Sequence, residues 1–204
     1  MRSLIAVALG LMVAAQADAH RLDEYLQGTI FTIEKNRVLA QVTLTPGVAV
    51  LPLVMAEIDT DGDGVLSEAE QRAYAWRVLR DVSLTIDGRA LAPRLSAVRF
   101  PSAADMKAGL GEIQLDFRAD LPGGGRVRRL AFENRHDQRI AAYQVNCLIP
   151  ADRDVKIIRQ GRNYSQSVYE LEYEQAGVDA ASLGWLGALG VLTLIACRIG
   201  FLRV

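Results

Sequence analysis

Residues 29–45 read TIFTIEKNRVLAQVTLT, and this stretch decides the fold class of the chain. Two extended runs flank the polar turn Lys35-Asn36-Arg37. In the second run, apolar side chains recur at every other position, at Val38, Ala40, Val42 and Leu44. A period of two is that of a strand with one buried face, so residues 29–45 predict a β-hairpin.

The same alternation recurs along most of the chain. Residues 82–86 lead through the turn Asp87-Gly88 into residues 91–100, which predicts a second hairpin. Further extended runs lie at residues 113–119, 127–133, 140–149, 155–160 and 168–174. Many short strands separated by turns are typical of two packed sheets. We therefore expect a mainly β fold, an Ig-like β-sandwich of about nine strands.

Residues 47–81 interrupt this strand pattern. Residues 48–58 are apolar at helical spacing, and Pro52 lies near their start, where a helix tolerates proline. Apolar side chains mark one face of a second predicted helix, at Leu66, Ala69, Ala73, Trp76 and Leu79. The sequence thus predicts a helix-loop-helix inserted between two hairpins.

The loop between these helices, residues 59–70, reads DTDGDGVLSEAE and fills every required position of an EF-hand calcium loop. Calcium takes about six to eight oxygen ligands, and Gly64 at the sixth loop position permits the sharp bend. The predicted ligands are Asp59, Asp61, Asp63, the carbonyl of Val65, Ser67 directly or through water, and Glu70. Because the chain holds a single such loop, we expect a structural calcium ion rather than a calcium sensor.

Both ends of the chain are apolar and predict export and membrane attachment. Residues 1–19 have a positive start, an apolar run and the cleavage pattern Ala17-Asp18-Ala19 of a signal peptide; an uncleaved anchor helix is the alternative. Residues 181–204 predict a C-terminal transmembrane anchor, with a sorting tail or an apolar core helix as alternatives. We expect residues 20–180 to form an extracytoplasmic domain, at the periplasmic face of the inner membrane or at the cell surface.

Composition excludes several classes of protein. The 204 residues are 50% hydrophobic and 23% charged with a net charge of −1, which argues against a disordered acidic tail and a basic nucleic-acid-binding module. No catalytic triad, Cys/His pair, zinc motif or nucleotide loop is recognisable, so the sequence does not predict an enzyme. Cys147 alternates with Val145 and Ile149, which predicts a small buried hydrophobe rather than a nucleophile.

The two histidines, His20 and His136, suggest an alternative function. Signal cleavage would make His20 the N-terminal residue, whose amine and ring nitrogen can chelate a metal together. With His136 as a third nitrogen ligand, this arrangement is similar to the histidine brace of copper-resistance periplasmic proteins and copper oxygenases. The alternative function is therefore a copper- or nickel-binding or delivery protein. The other interpretation of His136 is an exposed histidine in a polar loop, residues 133–139.

The opening HRLDEYL at residues 20–26, the strands after it, the loop at residues 59–70 and the following helix resemble the extracytoplasmic N-terminal region of HupE/UreJ-type membrane proteins. Those proteins are associated with nickel or cobalt handling, and many carry an EF-hand-like loop at this place. They continue into several transmembrane helices that form a permease, whereas this sequence has one candidate span after the domain. The resemblance therefore implies assistance in metal homeostasis and implies no transport activity.

Overall fold

The computed structural model describes residues 23–176, so the predicted signal peptide, His20 and the predicted C-terminal anchor lie outside the described residues. Ten strands and three helices follow one another in the order β1 (Tyr25–Ile33), β2 (Arg37–Pro46), α1 (Leu51–Ile58), α2 (Glu68–Arg80), β3 (Val82–Ile86), β4 (Arg89–Ala90), β5 (Arg94–Arg99), α3 (Ala103–Lys107), β6 (Ile113–Asp120), β7 (Val127–Asn134), β8 (Ala141–Cys147), β9 (Val155–Arg162) and β10 (Val168–Gln175). Among residues 23–176, no helix has both the length and the apolar character needed to cross a bilayer.

The strands form two five-stranded sheets, in the orders β5-β6-β2-β1-β8 and β4-β3-β7-β10-β9. The predicted first hairpin is the centre of the first sheet, with Ile33 opposite Val38 next to its turn and Tyr25 opposite Pro46 at its far end. The two sheets confirm the mainly β prediction. Residues 91–100 were expected to form one strand, but Pro93, which cannot donate a ladder hydrogen bond, lies between β4 and β5 in different sheets.

The two sheets pack face to face around aromatic side chains. Phe31 of β1 meets Phe132 of β7 edge to face, with ring centroids 5.0 Å apart, and stacks on Tyr169 of β10 at 5.9 Å. All three side chains are buried. Burying a side chain of this size stabilises the fold by roughly 1.5–3 kcal/mol, so each ring of this cluster contributes to holding the sheets together.

The two ends of this two-sheet body carry different features. At the end that we call the helical end, β2 leads into α1, and α2 leads into β3. At the opposite end, which we call the exit end, the side-chain amide of Gln175 donates to the carbonyl of Lys35 in the β1–β2 turn (2.7 Å). There the N–H of Ala176, the last described residue, donates to the carbonyl of Asp154 (2.7 Å). The helices and the point where the described chain ends therefore lie at opposite ends of the body.

Candidate metal centre

The helices α1 and α2 bracket the acidic loop and fix its two ends. α1 has a proline in its first turn and buries Leu51, Val54, Met55 and Ile58. Its C-cap is Asp59, whose N–H donates to the carbonyl of Met55 (2.8 Å). Ser67 is the N-cap of α2 and forms a capping box with Glu70. The first and last acidic residues of the loop are thus attached to helix ends, one on each side.

The predicted buried face of the second helix is confirmed at Leu66 and Leu79 and is wrong at the other three positions. Tyr74, Ala75, Val78 and Leu79 are buried in addition to Glu70, whereas the side chain of Trp76 is 48% exposed and Ala69 and Ala73 are exposed as well. On this face the hydroxyl of Tyr74 lies 2.7 Å from the hydroxyl of Tyr25 and 3.0 Å from Nε2 of His136. The buried face of α2 therefore includes polar contacts, which apolar periodicity does not detect.

Three aspartates of the loop converge. One carboxylate oxygen from each of Asp59, Asp61 and Asp63 lies within 4.8 Å of the other two. Each carboxylate also accepts a backbone N–H from within the loop: Asp59 from Gly64 (3.0 Å), Asp61 from Asp63 (3.2 Å) and Asp63 from Val65 (2.7 Å). The sharp bends need residues with positive φ, which Gly64 supplies at +80°. The backbone thus holds three like charges together.

One oxygen of this cluster has no hydrogen-bond partner. Oδ1 of Asp59 is buried and accepts no hydrogen bond from any described residue, whereas Oδ2 accepts from Gly64. A buried carboxylate oxygen without a partner is costly, and a bound cation would satisfy it. This orphaned atom is the observation that distinguishes the loop from an ordinary acidic turn.

Glu70, the predicted last ligand, lies beneath the loop. Its carboxylate accepts from the N–H and hydroxyl of Thr60 (2.7 and 3.0 Å) at Oε1, and from the N–H and hydroxyl of Ser67 (3.1 and 2.8 Å) at Oε2. These bonds, first those from Ser67 and then those from Thr60, lower the pKa of Glu70 to about 2. The residue is 8% exposed and stays ionised at neutral pH. The structure therefore brings together Asp59, Asp61 and Asp63, and it places Glu70 outside that group.

The donor set fits a hard divalent cation. Carboxylate, carbonyl and hydroxyl oxygens are the ligands of calcium and magnesium, and the loop offers no nitrogen or sulfur donor. Val65 and Ser67 complete the predicted ligand set; the hydroxyl of Ser67 also caps α2, and the Val65 side chain is exposed. A cation at Asp59 would also lie near the C-terminus of α1, where the helix dipole favours positive charge.

His136 lies in a turn between β7 and β8, as the loop interpretation predicts, and Arg135, Gln138 and Arg139 are exposed there, but its own side chain is buried at the helical end. It is 1% exposed, its Nδ1 lies 2.8 Å from Oδ2 of Asp81, and its Nε2 lies 3.0 Å from the hydroxyl of Tyr74. Oδ2 of Asp137 is a second neighbour of Nε2, at 3.3 Å. A metal ion at His136 would have to displace one of these partners. His20 lies outside the described residues, so the structure does not bring the two histidines together.

Sequence reasoning missed this buried polar cluster because its members are far apart in the chain. Gln27 of β1 donates to the carbonyl of His136 (3.0 Å), and Asn134 donates to the side chain of Gln27 (2.9 Å). The one available signal was the placement of Gln27 and Thr29 on the inward-facing positions of β1, where polar side chains need partners.

No family model, curated protein or solved structure matches the chain. The resemblances to EF-hand proteins and to HupE/UreJ-type proteins therefore remain predictions from the residues named above.

Proposed function

We propose that the chain is a non-enzymatic calcium-binding domain on the outer side of a membrane, an Ig-like β-sandwich with an inserted EF-hand whose ion has a structural role. The observation that carries the proposal is the convergence of three carboxylates around a buried oxygen of Asp59 that lacks a hydrogen-bond partner. The predicted signal peptide and the predicted anchor over residues 181–204 support the location.

Calcium is the cation that this loop suits best. Its larger radius and flexible coordination accept a bidentate carboxylate and a backbone carbonyl, whereas magnesium requires near-octahedral geometry and keeps several waters. To become a ligand, Glu70 has to exchange hydrogen bonds from Thr60 or Ser67 for the ion. That exchange weakens binding, which fits a dissociation constant on the order of 0.1–1 mM, the range of extracellular calcium modules.

A structural role follows from how the loop is attached. Asp59 terminates α1, and Glu70 lies in the first turn of α2, which packs on the body and continues into β3. Without a cation, the three neighbouring carboxylates repel one another. An ion bound only in the folded state stabilises that state by mass action, so calcium and folding are linked. The resemblance to HupE/UreJ-type proteins supports a place in metal homeostasis of the cell envelope.

Thermal melting with and without calcium tests the proposal. At about 10 mM calcium and the affinity above, mass action predicts roughly 1.4–2.7 kcal/mol of added stability, or a rise in Tm of about 3–10 °C. Magnesium at the same concentration should give a clearly smaller rise. An unchanged Tm would refute a structural calcium site.

A matched pair of variants assigns the effect to the loop. Asp59→Asn retains an acceptor for Gly64 but removes one charge and one ligand oxygen, so it should abolish the calcium-dependent rise in Tm. Asp152→Asn is the control, because Asp152 likewise accepts a backbone N–H, from Asp154 (2.9 Å), but belongs to no described carboxylate cluster. The calcium response should survive in that control, and equal loss in both variants would contradict the assignment.

A further inference from the structure

The exit end carries an exposed apolar loop between β8 and β9. Ile149 is 91% exposed and its neighbour Leu148 is 53% exposed, so two large apolar side chains lack contacts with the rest of the described chain over much of their surface. The loop is nevertheless fixed at its start, because the N–H of Leu148 donates to the carbonyl of Phe31 at the end of β1 (2.8 Å). The structure thus presents these side chains outward from a rigid strand end.

Unpaired positive charge lies at the exit end, and part of it lies beside this loop. Five exposed basic side chains near the exit end form no ion pair with any described residue: Arg153 and Lys156 next to the loop, and Arg89, Arg94 and Arg118 towards the opposite edge of the two sheets. Arg153 and Lys156 flank the start of β9, a few residues after Ile149. The opposite, helical end carries the cluster Asp59, Asp61 and Asp63. The unpaired cations named here therefore lie at the end of the body opposite to the acidic cluster; in the sequence beside the loop, Arg153 and Lys156 alternate with Asp152 and Asp154.

The described chain ends beside the same loop. Ala176 is hydrogen-bonded to Asp154, five residues after Ile149. The apolar run of the predicted anchor begins at Leu183. Seven residues span at most about 25 Å when fully extended, so an anchor beginning at Leu183 would hold the exit end within that distance of the bilayer.

From the exposed loop, the basic side chains and the nearby chain exit, we propose that the exit end rests on an anionic lipid surface, with Ile149 and Leu148 inserted into the headgroup region. This inference rests on the membrane attachment in the proposed function. Apolar side chains among cations are the features that bind peripheral segments to anionic bilayers. The Asp59–Asp63 cluster would then point away from the membrane, into the calcium-containing medium and away from the like charge of the lipids.

Fluorescence quenching by brominated lipids tests the inserted loop. The full-length protein is reconstituted into phosphatidylcholine–phosphatidylglycerol vesicles at fixed calcium. One sample keeps Trp185 and reports on the predicted anchor, and every other sample carries Trp185→Phe. Trp76 remains at the helical end as an internal reference. Adding Ile149→Trp should introduce an indole that loses fluorescence when the lipids are brominated. Adding Leu53→Trp instead, at a 59% exposed position of α1, is the matched control and should introduce no such loss.

Charge variants test the role of the anionic lipid. In the Ile149→Trp protein, adding Arg153→Glu with Lys156→Glu should reduce the quenching, and pure phosphatidylcholine vesicles should reduce it as well. Adding Arg80→Glu with Arg139→Glu, two exposed cations near the helical end, should leave the quenching unchanged. Quenching that is insensitive to the first pair, or equally sensitive to both, would overturn the electrostatic part of the proposal.

The outcomes separate this inference from the proposed membrane attachment. If Trp185 is quenched in the sample that keeps it, but the indole at position 149 is not quenched in its own sample, the anchor stands and the resting surface is wrong. If the protein does not float with vesicles at all, both fail. Equal quenching at positions 149 and 53 would refute a fixed orientation.

Discussion

The buried hydroxyl of Tyr74 connects α2 to the two-sheet body, and Tyr74→Phe should destabilise the protein more than any other removal of a single hydroxyl in this cluster. The hydroxyl lies 2.7 Å from that of Tyr25 and 3.0 Å from Nε2 of His136. Burial raises the pKa of both tyrosines, so both hydroxyls stay protonated well above neutral pH. We assign the ring proton of His136 to Nδ1, which then donates to Asp81, so that Nε2 accepts from Tyr74.

The loss of stability expected in Tyr74→Phe depends on which groups lose their hydrogen-bond partners. In Tyr74→Phe the fully buried hydroxyl of Tyr25 is left with no partner among the described residues, which costs about 1–3 kcal/mol. His136 also loses a bond, worth about 0.5–1.5 kcal/mol, and the Asp137 carboxylate 3.3 Å from Nε2 accepts only, so it does not replace the tyrosine hydroxyl as donor. The total is about 2–4 kcal/mol. Tyr25→Phe should cost only about 0.5–1.5 kcal/mol, because Tyr74 keeps His136.

Urea unfolding at neutral pH, with saturating calcium, measures these free energies. The double variant Tyr25→Phe with Tyr74→Phe should be no less stable than Tyr74→Phe alone, because it removes the hydroxyl that the single variant leaves without a partner. Equal or greater loss in Tyr25→Phe than in Tyr74→Phe would refute the reasoning. Additive losses in the double variant would contradict it as well.

The ion pair of Arg128 with Asp87 and the thiol of Cys147 give two further predictions. Arg128 is almost fully buried, and its guanidinium lies 2.6 Å from the carboxylate of Asp87. Asp87→Asn should therefore lower the free energy of unfolding by about 2–4 kcal/mol, and the double variant Asp87→Asn with Arg128→Met should recover part of that loss. If urea unfolding shows no recovery in the double variant, the pairing is contradicted. Burial raises the pKa of the Cys147 thiol to about 11. Keeping this thiol protonated therefore stabilises the folded state fully below about pH 8.5, and that stabilisation is lost as the pH rises towards 11. Alkylation at Cys147, followed by peptide mass spectrometry, should therefore be slow at pH 8.5 and accelerate up to pH 11, and a rate that levels off near pH 9 would count against it.

Local patterns predicted most of the strands, because alternation depends only on which face of a strand is buried. The first hairpin lies where residues 29–45 place it, with β1 and β2 paired along their whole length. The parallel pairing of β1 with β8 could not be predicted, because Tyr25 and its partner Ala141 are distant in sequence and no short motif encodes their contact. The break at Pro93 was readable from the sequence, but the alternation on either side of it masked the break.

The same difference between local and distant contacts applies to the candidate site. The convergence of Asp59, Asp61 and Asp63 could be predicted because their spacing and two glycines fix the geometry of a short continuous loop. The surroundings of His136 could not be predicted, because its neighbours are distant in sequence: Tyr25 lies in β1, Tyr74 in α2 and Asp81 at the end of α2. The polar neighbours of His136 in the sequence indicated a solvated loop, whereas its hydrogen-bond partners come from other parts of the chain.

The position of Glu70 connects the two halves of the helical end. Glu70 and Tyr74 are four residues apart on α2, so they share its buried face, one beside the acidic loop and the other against β1 and His136. Asp59 is the C-cap of α1. A cation bound by Asp59 and Glu70 would therefore join the end of α1 to the start of α2, while the Tyr74 hydroxyl holds the same helix to the body. Because the two attachments act on one rigid helix, calcium bound in the loop would stabilise the packing of α2 on the sheets as well as the loop itself.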